Sequence, residues 1–193
     1  AALGRDERAD RHAERHEQHG GGDVGAQPAH RAHDAPIVAL AEIGSGLSGK
    51  DFLTAAIAGY EVGPRVGICM GQQHLVQGWH TAATIGVFGS VASTARAIGA
   101  SAEATAHALG MAATQSCGLM AAQFGSMAKR MHAGRAAQSG FYAGVLAKDG
   151  FTGIDDVFDR EYGGFCTTFS ASPDKFNLDA LVSGLGSFYE VMN

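Results

Sequence analysis

Two short stretches place reactive side chains at helix entrances rather than on solvated faces. The first is Gly78-Trp79-His80-Thr81, which precedes a run of small and apolar residues. A histidine there stands at the positive end of a helix dipole, next to N–H groups that no turn has yet used. Such a position favours an anion and biases the imidazole toward its neutral, proton-accepting form. The plainer reading is that His80 only caps or packs. The second stretch runs from Ala128 to Gly140 and carries Lys129, Arg130, His132 and Arg135 within seven residues. Fixed cations at a helix start oppose the dipole, so an anionic guest would offset their cost. Lys129, His132 and Ala136 share one face by their i, i+3 and i+7 spacing. A di- or tricarboxylate suits that face, whereas a solvated basic helix start needs no guest at all.

Other candidates are weaker. His12, His16 and His19 follow an H-x3-H-x2-H pattern, with His30 and His33 beyond, and i, i+4 histidines share a helix face as metal ligands do. The segment around them argues for a polar tail instead. Residues 1–34 hold five of the nine histidines and five arginines, but no lysine, isoleucine, phenylalanine, methionine, tyrosine or tryptophan with which to build a core. No metal site is expected. Cys69, Cys117 and Cys166 are widely spaced, lack the clustered spacing of iron–sulfur ligands, and read as reduced buried thiols. A net charge of −5 excludes the basic face of a nucleic-acid binder. No apolar run reaches the length of a membrane span and no leader is legible, so a cytoplasmic location is expected.

The elements that must position these residues are helical. From Ala35 onward apolar residues recur at helical spacing, and no stretch alternates long enough to demand a strand. Pro36 to Glu42 reads as a short helix. Ser48 and Asp51 form a capping box for a helix marked by Leu53, Ala56, Ile57 and Tyr60, with 71–78 as a connection. Thr81 to Ile98 reads as one long helix ended by Gly99. Ser101 opens another that runs to about Cys117, with Ala102, Ala106, Leu109 and Ala113 as its buried stripe. After a loop over 118–126 comes a helix from Lys129 to Asp149, packed closely through Ala136, Gly140 and Ala143 and ended by Gly150. Asp155 to Glu161 reads as a further short helix. The 28 glycines and abundant alanines suit helices whose backbones nearly touch. The class is mainly α, an all-helical bundle.

The strings GWHTAATIGVFGSVASTARAIG, SAEATAHALGMAATQSCGL, GSMAKRMHAGRAAQSGFYAGVLAKDGFTG and GGF, from Gly78 to Phe165, resemble the MmgE/PrpD family in order and spacing. The segment APIVALAEIGSGLSGKDFLTAAIAGYEVGPRVG resembles the part just upstream. The resemblance implies a large all-helical domain, an α+β lid domain, an active site in the cleft between them, and a homodimer. It also implies dehydration, decarboxylation or epimerisation of small polycarboxylates such as 2-methylcitrate, without metal or organic cofactor. By the same resemblance His80 and Lys129 are the catalytic residues, and Thr81, His132 and Arg135 help bind substrate.

His33 falls near a family histidine that precedes proline, although Asp34 stands in that proline's place, and it too is expected at the substrate. The family's acidic D-x-D-D-T stretch has no recognisable counterpart, and neither has the lid. The expected organisation is therefore a non-family segment over 1–34, the helical domain over 35–170, and the start of a connection over 171–193. The alternative to an active lyase or isomerase is a truncated, inactive helical module that at most dimerises.

Overall fold

The computed structural model describes residues 30–44, 46–170 and 175–190, with side chains from His33 onward. The histidines at 12, 16 and 19 lie outside the described residues, as does the side chain of His30. The elements are α1 (His30–Glu42), α2 (Gly49–Val76), α3 (Thr81–Thr84), α4 (Gly86–Ala97), α5 (Ala102–Ala113), a 3-10 turn (Met120–Gln123), α6 (Ala128–Lys148), α7 (Phe165–Phe169) and α8 (Asp179–Val182). Among the described residues no β-strand forms; the nearest thing is one antiparallel bridge between Trp79 and Leu119. None of these helices is long and apolar enough to cross a membrane.

α4 is the axis of the fold. Every residue from Gly86 to Ala95 is buried, and α1, α2, α5 and α6 pack around it. A helix enclosed on all sides needs small residues wherever a neighbour's backbone approaches. At Gly140 of α6 an added Cβ would strike the Ser90 side chain and the Val91 backbone, and at Gly89 it would strike the His33 ring. The hydroxyls that small polar residues bring inside are satisfied locally. Ser93 donates to the Gly89 carbonyl at 2.8 Å and Thr94 to that of Ser90 at 2.9 Å, while Ser90 reaches across to the Ala137 carbonyl of α6 at 2.9 Å. Buried polar groups therefore cost little here. Phe88 gives the core its volume, stacked edge-on to Phe165 with ring centres 4.7 Å apart.

Helix ends follow their caps. Ser48 accepts from the Asp51 amide at 3.1 Å and Ser101 from the Ala104 amide at 3.1 Å. α6 ends at Lys148, with Gly150 at φ 91°, as its terminal glycine requires.

Several elements differ from the sequence reading. α1 begins at His30, ahead of Ala35, and Pro36 lies inside it. α2 does not stop near residue 70; it bends at Gly71, which adopts φ 61°, and continues to Val76. The run from Thr81 to Ile98 breaks at Ile85 into α3 and α4. α5 buries Ala108, Met111, Ala112 and Ala113, whereas Ala102 and Ala106 are exposed. The segment 155–161 forms turns rather than a helix. Of the three thiols, Cys69 and Cys166 are buried but Cys117 is exposed.

Candidate active site

The break between α2 and α3 builds the site. Gly78, at φ 96°, lets the chain leave α2 and run beside residues 118–120. There His80 N–H donates to the Gly118 carbonyl at 3.1 Å, and Met120 N–H donates to the Gly78 carbonyl at 2.7 Å. This two-rung crossing fixes the backbone on which His80 sits. Gly118 has to be a glycine, because a Cβ there would overlap the Ala83 methyl.

A brace from behind holds the same turn. His74, fully buried, meets the Phe169 carbonyl through Nδ1 at 3.2 Å and the Thr84 hydroxyl through Nε2 at 2.6 Å. A carbonyl can only accept, so Nδ1 carries the proton and Nε2 accepts from Thr84. Burial favours this neutral form and pushes the His74 pKa below the ordinary histidine value, against a smaller upward pull from the Phe169 carbonyl. The Ser116 hydroxyl adds a bond to the Thr84 carbonyl at 3.0 Å.

At the front, the His80 and His132 rings lie 4.7 Å apart, centre to centre. His80 is only 3% exposed. Its pKa is lowered first by burial, then by the charges of His132 and Lys129; a hydrogen bond with the Gln123 side chain pulls the other way. The structure thus brings His80, His132 and Lys129, distant in the chain, into one electrostatic cluster. Nδ1 of His80 and Nδ1 of His132 are both buried without a hydrogen-bond partner. Two imidazole nitrogens left open in one cluster, beside an ammonium, can move protons and accept an anion.

A hollow of about 590 Å³ opens beside them. Trp79, Leu119, Ala121, Ala122 and Ala128 give it apolar walls, Cys117, Gly118 and Ser126 complete the lining, and His132 is its one ionisable ring. Among the described residues no acidic side chain lines it. The first turn of α6 borders the hollow: Met127 offers no side-chain cap, the Ala128 amide donates to the Ser126 hydroxyl at 3.1 Å, and the Arg130 amide donates to the Met127 carbonyl at 2.9 Å. Neither His80 nor Lys129 lines the hollow itself; the His132 ring next to His80 does.

The remaining sequence candidates fare differently. Thr81 is half-buried at the start of α3, directly after His80. Arg135 is exposed and turned along its own helix to Gln138 at 2.6 Å, away from the hollow's lining. His33 is wedged between α1, α2 and α4 against Gly59, Gly63 and Gly89, with its ring edge-on to Tyr60 at 5.3 Å. None of those neighbours lines the hollow. Tyr60 in turn donates to Asp34 at 2.9 Å, and burial together with that carboxylate pushes its phenol up to about 12.

Sequence reasoning missed Gln123, Cys117 and the His74–Thr84 brace. A polar residue within the 118–126 loop was the available signal for Gln123, but nothing in the sequence marked a 3-10 turn there. Among the described residues no group of three or more histidine, cysteine or carboxylate side chains is placed to hold a metal ion.

Comparison with known proteins gives a consistent picture. Residues 27–177 match the model of the MmgE/PrpD N-terminal domain. The chain is 40% identical over 154 residues to cis-aconitate decarboxylase of Aspergillus terreus, a match covering 78% of this chain and 31% of that protein. It is 40% identical over 151 residues to the cis-aconitate decarboxylase-like protein oryM of Aspergillus oryzae, covering 76% and 31%. The chain therefore spans a little under a third of the length of the curated relatives it matches.

Proposed function

Because this chain belongs to the MmgE/PrpD family, whose helical N-terminal domain it carries, we propose that it forms the substrate-gripping half of a cofactor-independent lyase or isomerase acting on a small di- or tricarboxylate. The observation that carries this reading is the cluster of His80, His132 and Lys129 beside a hollow without acidic lining. The cis-aconitate decarboxylase relative, and the decarboxylase-like one beside it, favour a cis-aconitate-like tricarboxylate over the 2-methylcitrate expected from sequence.

In this mechanism Lys129, at the positive end of the α6 dipole, holds a substrate carboxylate and stabilises charge as the neighbouring bond breaks. Neutral His80 takes a proton from the carbon beside that carboxylate in dehydration or epimerisation. In decarboxylation the carbon that loses CO₂ must gain a proton, and the His80–His132 pair delivers it. A bound polyanion favours the protonated form of His80, so substrate itself supports that proton delivery. The enzyme is further proposed to be a cytoplasmic homodimer.

The test uses the full-length protein that contains this domain. His80→Ala and Lys129→Met should each cut kcat about 10²–10⁴-fold on the native substrate, the usual contribution of a positioned acid or base. A panel of di- and tricarboxylates followed by NMR identifies that substrate. Near-full turnover in either variant overturns the role assignment.

A second reading is a catalytically silent helical module that at most dimerises. It is favoured by the apolar side chains Leu119, Phe124, Met127 and Met131, which stand exposed around the hollow. Absence of turnover across the panel, with a dimer by light scattering, selects it.

A further inference from the structure

Behind the site, and independent of its chemistry, two thiols face each other. Cys69 of α2 and Cys166 of α7 are 1% and 0% exposed, and their sulfurs lie 3.8 Å apart. Either sulfur can donate to the other, and their contact holds the Cys69 thiol below its usual range while it and burial push that of Cys166 upward. The surroundings fix both partners. The Cys69 carbonyl accepts from the Asn177 amide at 2.8 Å, and the Phe165 amide beside Cys166 donates to the Val157 carbonyl at 2.6 Å. Phe165 and Phe169 flank Cys166 within the aromatic core. Cys117, by contrast, is exposed at the hollow, far from any such pairing.

We propose that Cys69 and Cys166 are a redox-closable pair whose disulfide staples α7 onto α2. Closure requires the sulfurs to approach from 3.8 Å to about 2.05 Å, a movement within reach of side-chain rotation. The oxidant is a small-molecule disulfide such as glutathione disulfide. The Cys69 thiolate attacks its S–S bond, forms a mixed disulfide and releases one glutathione thiolate, which takes the proton. The Cys166 thiol, giving up its proton in turn, attacks the Cys69 sulfur and expels the second glutathione. Two protein thiols are oxidised and one glutathione disulfide is reduced to two thiols. The staple matters because α7 supplies the Phe169 carbonyl that orients His74, and His74 braces Thr84 next to His80. Oxidation therefore stiffens the platform behind the site without touching its cavity.

The full chain, with Cys117→Ser to prevent scrambling, is unfolded and refolded in a series of glutathione redox buffers, so that burial does not block the reaction. Samples are quenched, denatured and alkylated, then mapped by mass spectrometry. The expected result is one cross-linked peptide pair containing Cys69 and Cys166, lighter by the two hydrogens lost. It should form at a poise at least tenfold more reducing, in glutathione ratio, than the same bond formed in denaturant, and it should disappear in Cys69→Ala. The oxidised protein should show a higher thermal midpoint and slower hydrogen exchange across 165–169. If the bond forms no more readily in the folded chain than in denaturant, or if the oxidised midpoint is lower, the proposal is overturned. If Cys69→Ala does not refold, the wild-type redox series alone still decides.

Discussion

The bundle around α4 and the hollow beside α6 are built from the same small residues, yet they handle polar groups in opposite ways. Around α4 each hydroxyl of Ser90, Ser93 and Thr94 finds a carbonyl, and glycines let the helices close on one another. At the hollow and just behind it, the Nδ1 atoms of His132 and His80 stay open and large apolar side chains remain in water. Saturation makes the first region rigid and indifferent to ligands. The unmet bonding capacity of the second is what a substrate, or a covering domain, can use.

That contrast can be broken most severely at Phe88. Phe88→Ala should destabilise by about 3–5 kcal/mol, because a fully buried ring leaves a cavity that its neighbours cannot fill. Urea unfolding measures this, and a loss below about 1 kcal/mol would mean that the α4 core is looser than described. Gly140→Val tests the close approach instead. It drives a side chain into Ser90 and Val91 and should cost about 1–3 kcal/mol or more.

Acidity acts on both regions through His74 and His80. Both have folded pKa values lowered from 6.5, so the unfolded chain binds protons first as pH falls. Stability should be level above about pH 6.5 and decline below it, as protons are forced onto the folded histidines. Denaturation midpoints at pH 8, 6.5 and 5 check the sign; a protein more stable at pH 5 would refute it. Lys129→Met should raise the His80 pKa by removing a neighbouring charge, read by NMR titration of the ring. The smallest effect belongs to the exposed edge. Met127→Gln, at a side chain 89% exposed, should change stability by less than about 0.5 kcal/mol, while reducing self-association in light scattering.

Helix ends were legible in the sequence wherever a side chain or a glycine marks them, as at Ser48, Ser101, Gly99 and Gly150. His80 and Lys129 were singled out together by the family resemblance, and the structure sets the Lys129 charge against the His80 ring. What stayed hidden has a common cause. Alanine is compatible with every face, so α5 offered no contrast to locate its buried stripe, and Ala102 and Ala106 turned outward. The break at Ile85 falls inside a run of small and apolar residues, without proline or a cap to announce it. His33 was expected at the substrate from its position relative to a family histidine. Its place among Gly59, Gly63 and Gly89 depends on contacts across three helices that no local pattern reports.

α4 has no side turned to water along most of its length. Almost any substitution within it must be answered by one of four neighbours, which leaves little room for gradual change. Only past Ala95, from Arg96 on, does it meet water. The rear end is closed by the Lys148 ammonium on the Ile98 carbonyl, and the front end hands over to the turn bearing His80. New chemistry in this scaffold is therefore most accessible where the enclosed rod stops, not along it.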